Sequence, residues 1–422
     1  MDMWMKPGQL SGSVAAPASK SEAHRRMICA GLSGETTVLT GFMESDDMRA
    51  TANCLRALGA DLKREGDCLR VTGKAHPIHG LPLMDCGESG STLRFFVPIA
   101  MALAGGGVFR MHGRLGQRPM DVYRDLFVPR GTRWNMGIGA DGAAELHVVG
   151  TLKPGDYELP GNVSSQFVSG LLFALPLLEG ESTLTVVPPV ESIGYIRMTL
   201  QALQAAGIQL ENKAEYTWRI PGGQTYHGES GALAGDWSQA AVFLCAGALG
   251  HPVTVTGLTT ETTQGDAAVL DMLRSLGAGV KVSENGITVT GPTKGAELDV
   301  RNCPDIAPML ALVCALSSGS SVIRGCGRLR LKECDRLEAT ASLLNGLGAR
   351  VDVRGDEMHI TGVERLQGGA EADTCRDHRM VMLASVAALH CAEPVLVKDV
   401  QSLDKSWPEY LSVYKMLGGQ AE

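Results

Sequence analysis

A chain of 422 residues is too long for one ordinary hydrophobic core, so two domains are expected. Apolar residues at 44% and charged residues at 20% are those of a globular protein, and a net charge of −8 argues against nucleic acid as the main partner. Eleven cysteines, scattered and without a CxxC pair, fit buried thiols in a reducing cytosol and exclude a disulfide framework or a zinc site. From the N-terminus, MDMWMKPGQLSGS has no apolar core of a secretion signal. The longest apolar run, from Phe95 into MALAGGGVF, is broken by Pro98 and three glycines, so it reads as a buried helix and loop and not as a membrane span.

In chain order, six helices end on a glycine: LRALG at Gly59, LFVPRG at Gly131, LQAAG at Gly207, LRSLG at Gly277, LNGLG at Gly348 and YKMLG at Gly418. The steps between them are 70 to 76 residues. After five of them come a short strand, a turn and a second strand that itself ends in glycine: Gly73, Gly150, Gly222, Gly291 and Gly362. An apolar helix that stops at a left-handed glycine and returns as a hairpin is one supersecondary unit, and six copies account for the chain. The sixth copy runs out after Gly418, so the N-terminal segment is expected to complete it. Three copies would form a domain over residues 14–228, and residues 1–13 plus 229–422 the other.

Each copy also holds an earlier helix start: SKSEAHRR (19–26), SGSTLRFF (89–96), SSQFVSG (164–170), GDWSQAAVFL (235–244), CPDIAPMLAL (303–312) and DHRMVMLASV (377–386). Ser and Asp are favoured N-caps. Second helices are expected near Arg118, Gly194, Lys332 and Ser406. Lys20, Arg25, Arg94, Arg118, Lys332, Arg336, Arg379 and Lys405 all fall at these starts. Helix N-termini are already positive, so cations there are unfavourable unless an anion joins them. The pattern points to a ligand with several negative charges, phosphates and carboxylates, for which arginine is suited.

Acids sit among these cations. Asp305 reads either as a helix cap or as a reacting group, and Glu333 beside Lys332 suits acid–base work, since cations and burial move its pKa in opposite directions. His378, in DHR, reads as a proton carrier or as an ordinary histidine beside a cap. His76 and His79 have loose metal-like spacing but no third ligand nearby, so no metal is expected.

The motifs SKSEAHR, GESGSTLRFF, RPMDVY, GNVSSQF, GYI, CPDIA, LKECDR, DHRM and DKSWPEY stand in the order of the 5-enolpyruvylshikimate-3-phosphate (EPSP) synthase family, which the chain resembles from about Lys6 to Gly418. The resemblance implies an α/β fold of two similar domains, each an inside-out α/β barrel of three βαβαββ units. The domains would close over shikimate 3-phosphate and phosphoenolpyruvate. It implies carboxyvinyl transfer to the shikimate 5-hydroxyl through a tetrahedral intermediate, with no metal or other cofactor, by a cytoplasmic monomer.

Roles follow motif by motif. Lys20 resembles the lysine that contacts phosphoenolpyruvate and assists proton transfer, and Ser21 and Arg25 resemble shikimate 3-phosphate ligands. Gly90 resembles the glycine lining the phosphoenolpyruvate pocket, and Arg118 a clamp on that substrate. Ser164 and Ser165 resemble phosphate ligands, Gln166 a contact to both substrates, and Ser192 and Tyr195 contacts on the shikimate side. Asp305 resembles the base for the hydroxyl, Lys332 a shikimate 3-phosphate ligand, and Glu333 the acid for the methylene carbon. Arg336, Arg379 and Lys405 resemble the remaining phosphoenolpyruvate cations. On this reading LRLKECDRL places donor, ligand and clamp on one helix turn.

Glu88 and Arg328 depart from the family pattern, which has Asn at both positions. A sister transferase acting on UDP-N-acetylglucosamine shares the fold but carries a reactive cysteine before its RP motif, and RLGQRPM has none. A non-catalytic repeat clamp would need a basic inner surface without converging acids.

Overall fold

The structure is a computed structural model and describes residues 1–73 and 80–422, so the His76 and His79 pair lies outside the described residues. The chain forms two compact units, Met1–Pro17 with Ala234–Glu422, and Ala18–Leu233. The expected crossings lay near residues 13 and 228. They fall later because the strand Gly12–Ala15 pairs with Val253–Thr256, and Gly231–Ala232 with Leu39 and Thr40.

The Ala18–Leu233 unit holds three four-stranded sheets of one topology. In the second copy Leu83–Asp85 lies parallel to Gly106–Met111, which pairs antiparallel with Ala144–Val149, and Arg133–Ile138 forms the edge. Asp156–Pro160, Ser182–Val187, Thr217–Ile220 and Glu211–Ala214 repeat that order. The first copy takes its leading strand from the far end of the unit, Gly231–Ala232, before Thr36–Thr40, Cys68–Thr72 and Asp61–Glu65.

The other unit repeats the plan. Gly12–Ala15 leads the sheet of Val253–Thr256, Gly286–Thr290 and Gly279–Ser283, and Glu297–Asp299 leads that of Ser320–Arg324, Glu357–Thr361 and Arg350–Arg354. The last sheet is Glu371–Ala372, Val395–Val397 and Met3–Met5, with Met5 bridged to Ala421. The N-terminal segment thus gives two strands to two sheets, where a single completing strand was expected.

All six helix-ending glycines adopt positive φ, from +80° to +106°, which a side chain disfavours. The glycines that end the hairpins do a different job. A Cβ on Gly73 would lie 1.7 Å from the Ser33 carbonyl oxygen, and one on Gly362 1.7 Å from that of Ser317. The hairpin end therefore lies directly on the end of the inner helix of its copy.

The inner helices are apolar on every side, which a helix surrounded by sheets and other helices requires. Every residue of Trp237–Ala248, Ala307–Ala315 and His378–Leu389 is buried. These three run parallel: their N-termini share one polar cluster, described below, and their C-termini line one cavity. No helix among the described residues is long and apolar enough to cross a membrane.

At the C-terminal ends, Leu10 N–H donates to Nδ1 of His251 (3.1 Å), whose Nε2 lies 2.9 Å from Nε2 of His390. His251 must therefore carry its proton on Nε2, and His390 its own on Nδ1, so the pair is neutral. Burial pushes both imidazoles down to about 4. Between pH 6.5 and about 4 the unfolded chain binds more protons than the folded one, so stability is full above that window and falls as pH falls through it. One blocked protonation is worth on the order of 3 kcal/mol over the whole window. Thermal unfolding followed from pH 7 to 4.5 is expected to show a steeper loss in the wild type than in His390→Gln. Parallel profiles would refute the buried neutral pair.

Candidate active site

In the Ala18–Leu233 unit, three helix N-termini carry the expected residues. Ser19 caps Lys20–Leu32, Ser89 caps Gly90–Ala104 and Ser164 caps Ser165–Ala174, each accepting a backbone N–H. Lys20 Nζ pairs with Asp47 Oδ2 at 2.8 Å. Gln166 joins two copies: its Oε1 accepts from Arg94 Nη1 (2.6 Å) and its Nε2 donates to Ser91 Oγ (2.8 Å). Arg94 also donates to the Pro119 carbonyl at 3.1 Å, beside Arg118, and lies over the Phe167 ring. Gly90 is the floor under Arg118, because a Cβ there would be 2.7 Å from its Nη1.

Arg25 is drawn inward. It is 3% exposed and donates to Thr199 Oγ1 (2.8 Å), the Ser21 carbonyl (2.6 Å) and the Tyr195 carbonyl (3.0 Å). Burial lowers its pKa to about 10, so it stays charged. These bonds tie Lys20–Leu32 to the helix Ile193–Ala205, whose preceding residue, Ser192, is left-handed at φ +54°. The Glu88 carboxylate lies against Gly113, in the loop before Arg118.

In the other unit the centre is Arg336, 2% exposed. Its Nε and Nη2 hold the two oxygens of Asp377 (2.7 and 3.1 Å), its Nη1 holds Asp305 Oδ1 (2.8 Å), and its Nη2 holds Glu333 Oε2 (2.7 Å). Lys332 Nζ meets the same Asp305 oxygen at 2.8 Å. Burial pushes the Asp305 carboxyl up, but the charges of Lys332, Arg336 and Arg379 outweigh it and hold the group well below the usual carboxylate range. Burial also lowers the Lys332 pKa, against the pull of Asp305. Asp377 caps His378–Leu389 by accepting the Arg379 N–H at 2.9 Å. Arg379 donates to the Ser238 carbonyl (2.7 Å) and hydroxyl. His378 is buried with Nδ1 3.6 Å from Asp377. Lys405, 6% exposed, ends a 3-10 turn, and the next residue, Ser406, accepts from buried Gln239 Nε2 at 3.0 Å.

One expectation is corrected. Lys332 and Glu333 do not share a helix turn with Arg336. Gly327–Leu331 is a 3-10 turn, residues 332–334 bend, and the helix Arg336–Gly346 starts only after Asp335, which caps it through the Glu338 N–H. A hydrogen-bonded cap must stand outside its helix. Arg118 likewise precedes its helix, Asp121–Phe127, and Lys405 precedes Tyr410–Met416. Asp47 and Asp377 were missed. Asp377 had a signal, an acid at the cap of a buried helix beside an arginine. Asp47 had none, because its partner is 27 residues away.

Six α/β copies with cation-rich helix N-termini define a protein of the enolpyruvyl-transferase fold. A solved EPSP synthase from Acinetobacter baumannii superposes with a TM-score of 0.79 at 22% identity, covering 100% of this chain and 99% of that one. An enolpyruvyl transferase from Streptomyces tendae gives 0.78 at 19%, covering 100% and 98%. At sequence level, residues 5–414 match the family model described as EPSP synthase (3-phosphoshikimate 1-carboxyvinyltransferase). The 3-phosphoshikimate 1-carboxyvinyltransferase of Clostridium beijerinckii is 40% identical over 422 residues, 98% of this chain and 96% of the relative. That of Clostridioides difficile is 37% identical over 427 residues, 99% and 97%. The chain belongs to the EPSP synthase family.

Gly90→Ala must displace the Arg118 guanidinium, a flexible side-chain end, so folding should survive. If Arg118 clamps phosphoenolpyruvate as its motif implies, the expected result is about a tenfold rise in KM for that substrate, a change of about 1.4 kcal/mol. Steady-state kinetics unchanged from wild type would show that Arg118 contacts no substrate.

Proposed function

We propose that the two clusters serve one turnover, the transfer of the carboxyvinyl group of phosphoenolpyruvate to the 5-hydroxyl of shikimate 3-phosphate with release of phosphate. The observation that carries this reading is the set of partly exposed Asp305, Lys332 and Glu333 around buried Arg336 and Asp377, which places acids directly against cations. Glu333 is the proton donor to the methylene carbon, and Asp305 accepts the hydroxyl proton as oxygen attacks the adjacent carbon. The tetrahedral adduct then loses phosphate and a methyl proton, which restores the double bond. An Asp305 kept ionised by Lys332, Arg336 and Arg379 is in the state a base needs.

The anion clamps divide by unit. In the Arg336 cluster three cations (Lys332, Arg336, Arg379) meet three carboxylates (Asp305, Glu333, Asp377). In the Ala18–Leu233 unit Lys20 pairs with Asp47, and Arg94 is held by Gln166 and the Pro119 carbonyl. Phosphate is received on this reading by Ser164, Ser165, Gln166, Ser21 and Tyr195, at helix N-termini that carry partial positive charge. Lys405, beside the second cluster, adds a further cation for phosphoenolpyruvate. His378 is a reserve proton carrier beside Asp377. The chain acts as a cytoplasmic monomer, a reading supported by both clusters lying on one chain and by eleven reduced thiols, of which only Cys68 and Cys375 are not buried.

Phosphate release by the purified chain is expected only when both substrates are present, and UDP-N-acetylglucosamine should not replace shikimate 3-phosphate. Glu333→Gln and Lys20→Ala should each lower kcat by about 10²–10⁴-fold. Release without shikimate 3-phosphate, or full turnover by the double variant, would overturn the assignment.

A further inference from the structure

The three buried helices Trp237–Ala248, Ala307–Ala315 and His378–Leu389 have a second end, and it has the opposite electrical character. Their C-terminal residues Leu249, Leu316 and His390 all line one cavity of about 900 Å³, together with hairpin-end segments at 289–293 and 362–364. Helix C-termini carry partial negative charge, and here the Ala315 and Leu389 carbonyls accept from the N–H groups of Val363 (2.8 Å) and Gly8 (3.4 Å). None of the lining residues is Lys or Arg, and Glu364, exposed, is the carboxylate among them. Of the neighbouring cations, Arg365 is engaged by the Cys391 carbonyl at 3.0 Å, and the stem of Lys294 lies over Gly277. The two imidazoles of the wall are a neutral pair, each with a proton position fixed by Leu10. Leu249, Pro292, Leu316 and Val363 supply apolar wall. The volume is in the range of small-molecule sites.

We propose that this cavity binds a small amphipathic organic cation, an ammonium group on an apolar body. The charge complementarity selects the sign. An anion would face three negative helix ends and Glu364, whereas an ammonium would meet those ends and a carboxylate of opposite charge. The apolar wall accounts for the rest of the ligand. The same helices thus hold anions at one end and a cation at the other, and the cavity shares no residue with either anion cluster.

The probe is benzyltrimethylammonium, with phenylacetate as the anion of similar size, titrated calorimetrically into the intact chain at constant ionic strength. Imidazole signals are followed by NMR in parallel. Benzyltrimethylammonium is expected to saturate, to shift the His251 and His390 resonances, and to bind at least tenfold more tightly than phenylacetate. Shikimate 3-phosphate should not displace it. Glu364→Gln should weaken binding about threefold, the size of one helix-end charge contact. Val363→Trp, which fills the cavity, should abolish it, with phosphate release unchanged in both variants. Absence of saturation, equal affinity for phenylacetate, imidazoles unmoved at saturation, or displacement by shikimate 3-phosphate would each overturn the proposal.

Discussion

The side chain on which the Asp305, Glu333 and Asp377 cluster depends is Arg336. A guanidinium 2% exposed has lost nearly all of its water, a cost of several kcal/mol that only good geometry repays. Here it is met on three sides, by Asp377 through two oxygens, by Asp305 and by Glu333. Each of those acids belongs to a different segment: the cap of one buried helix, the start of another and the bend at 332–334. One cation therefore fixes three backbone segments at once. The balance of charge also explains why so polar a knot can sit at the end of a fully apolar core. Removing one acid would leave the arginine buried and under-compensated, which is why the cluster behaves as a unit and not as a sum of pairs.

The second constraint is direction. Helices that are buried on all sides carry no polar stripe, so their apolar contacts alone do not mark which end meets polar neighbours. The capping residues do. Asp236 and Asp377 stand at N-termini whose neighbours are Ser238 and Arg379, joined by hydrogen bonds. In the Ala18–Leu233 unit the caps Ser19, Ser89 and Ser164 do the same beside Lys20, Arg94 and Gln166. A βαβαββ copy repeated three times puts three positive helix ends together, and the sequence then adds cations to that end. Such a surface is stable only with counter-charges. The Arg336 cluster supplies them with Asp305, Glu333 and Asp377, and Lys20 meets Asp47.

Much of this was legible in the residues, for reasons that are local. A glycine at a helix end and a Ser or Asp at a helix start act within a turn, so Gly59 to Gly418 and Ser19 to Asp377 announce their elements without help from distant chain. What was not legible is non-local. Gly231–Ala232 and Glu371–Ala372 are two-residue strands, too short for any alternating pattern, and exist because a neighbouring strand offers its edge. The split of the N-terminal segment between two sheets depends on register with residues 253–256 and 395–397. In the site, the residue types and most positions were legible, but the hydrogen bonds that turn Arg25 inward lie 170 and more residues apart and leave no trace in spacing. The apolar frame of LRLKECDRL looked helical, but Asp335 makes a better cap than a helix interior, and the helix starts there.

The state of Asp305 has a consequence for the order of chemical events. A carboxylate held well below its usual range by three cations is ionised but weakly basic, and a weak base takes a hydroxyl proton poorly. Lys332 and Arg336 both reach the same oxygen, Oδ1. On the proposed assignment these cations, with Arg379, also receive substrate anions. Every negative charge brought to them cancels part of the field that depresses Asp305, and its proton affinity rises toward what the hydroxyl requires. On that assignment the acid would become an effective base only with the anions in place. The three cations that balance the carboxylates would then link occupancy to basicity through charge alone.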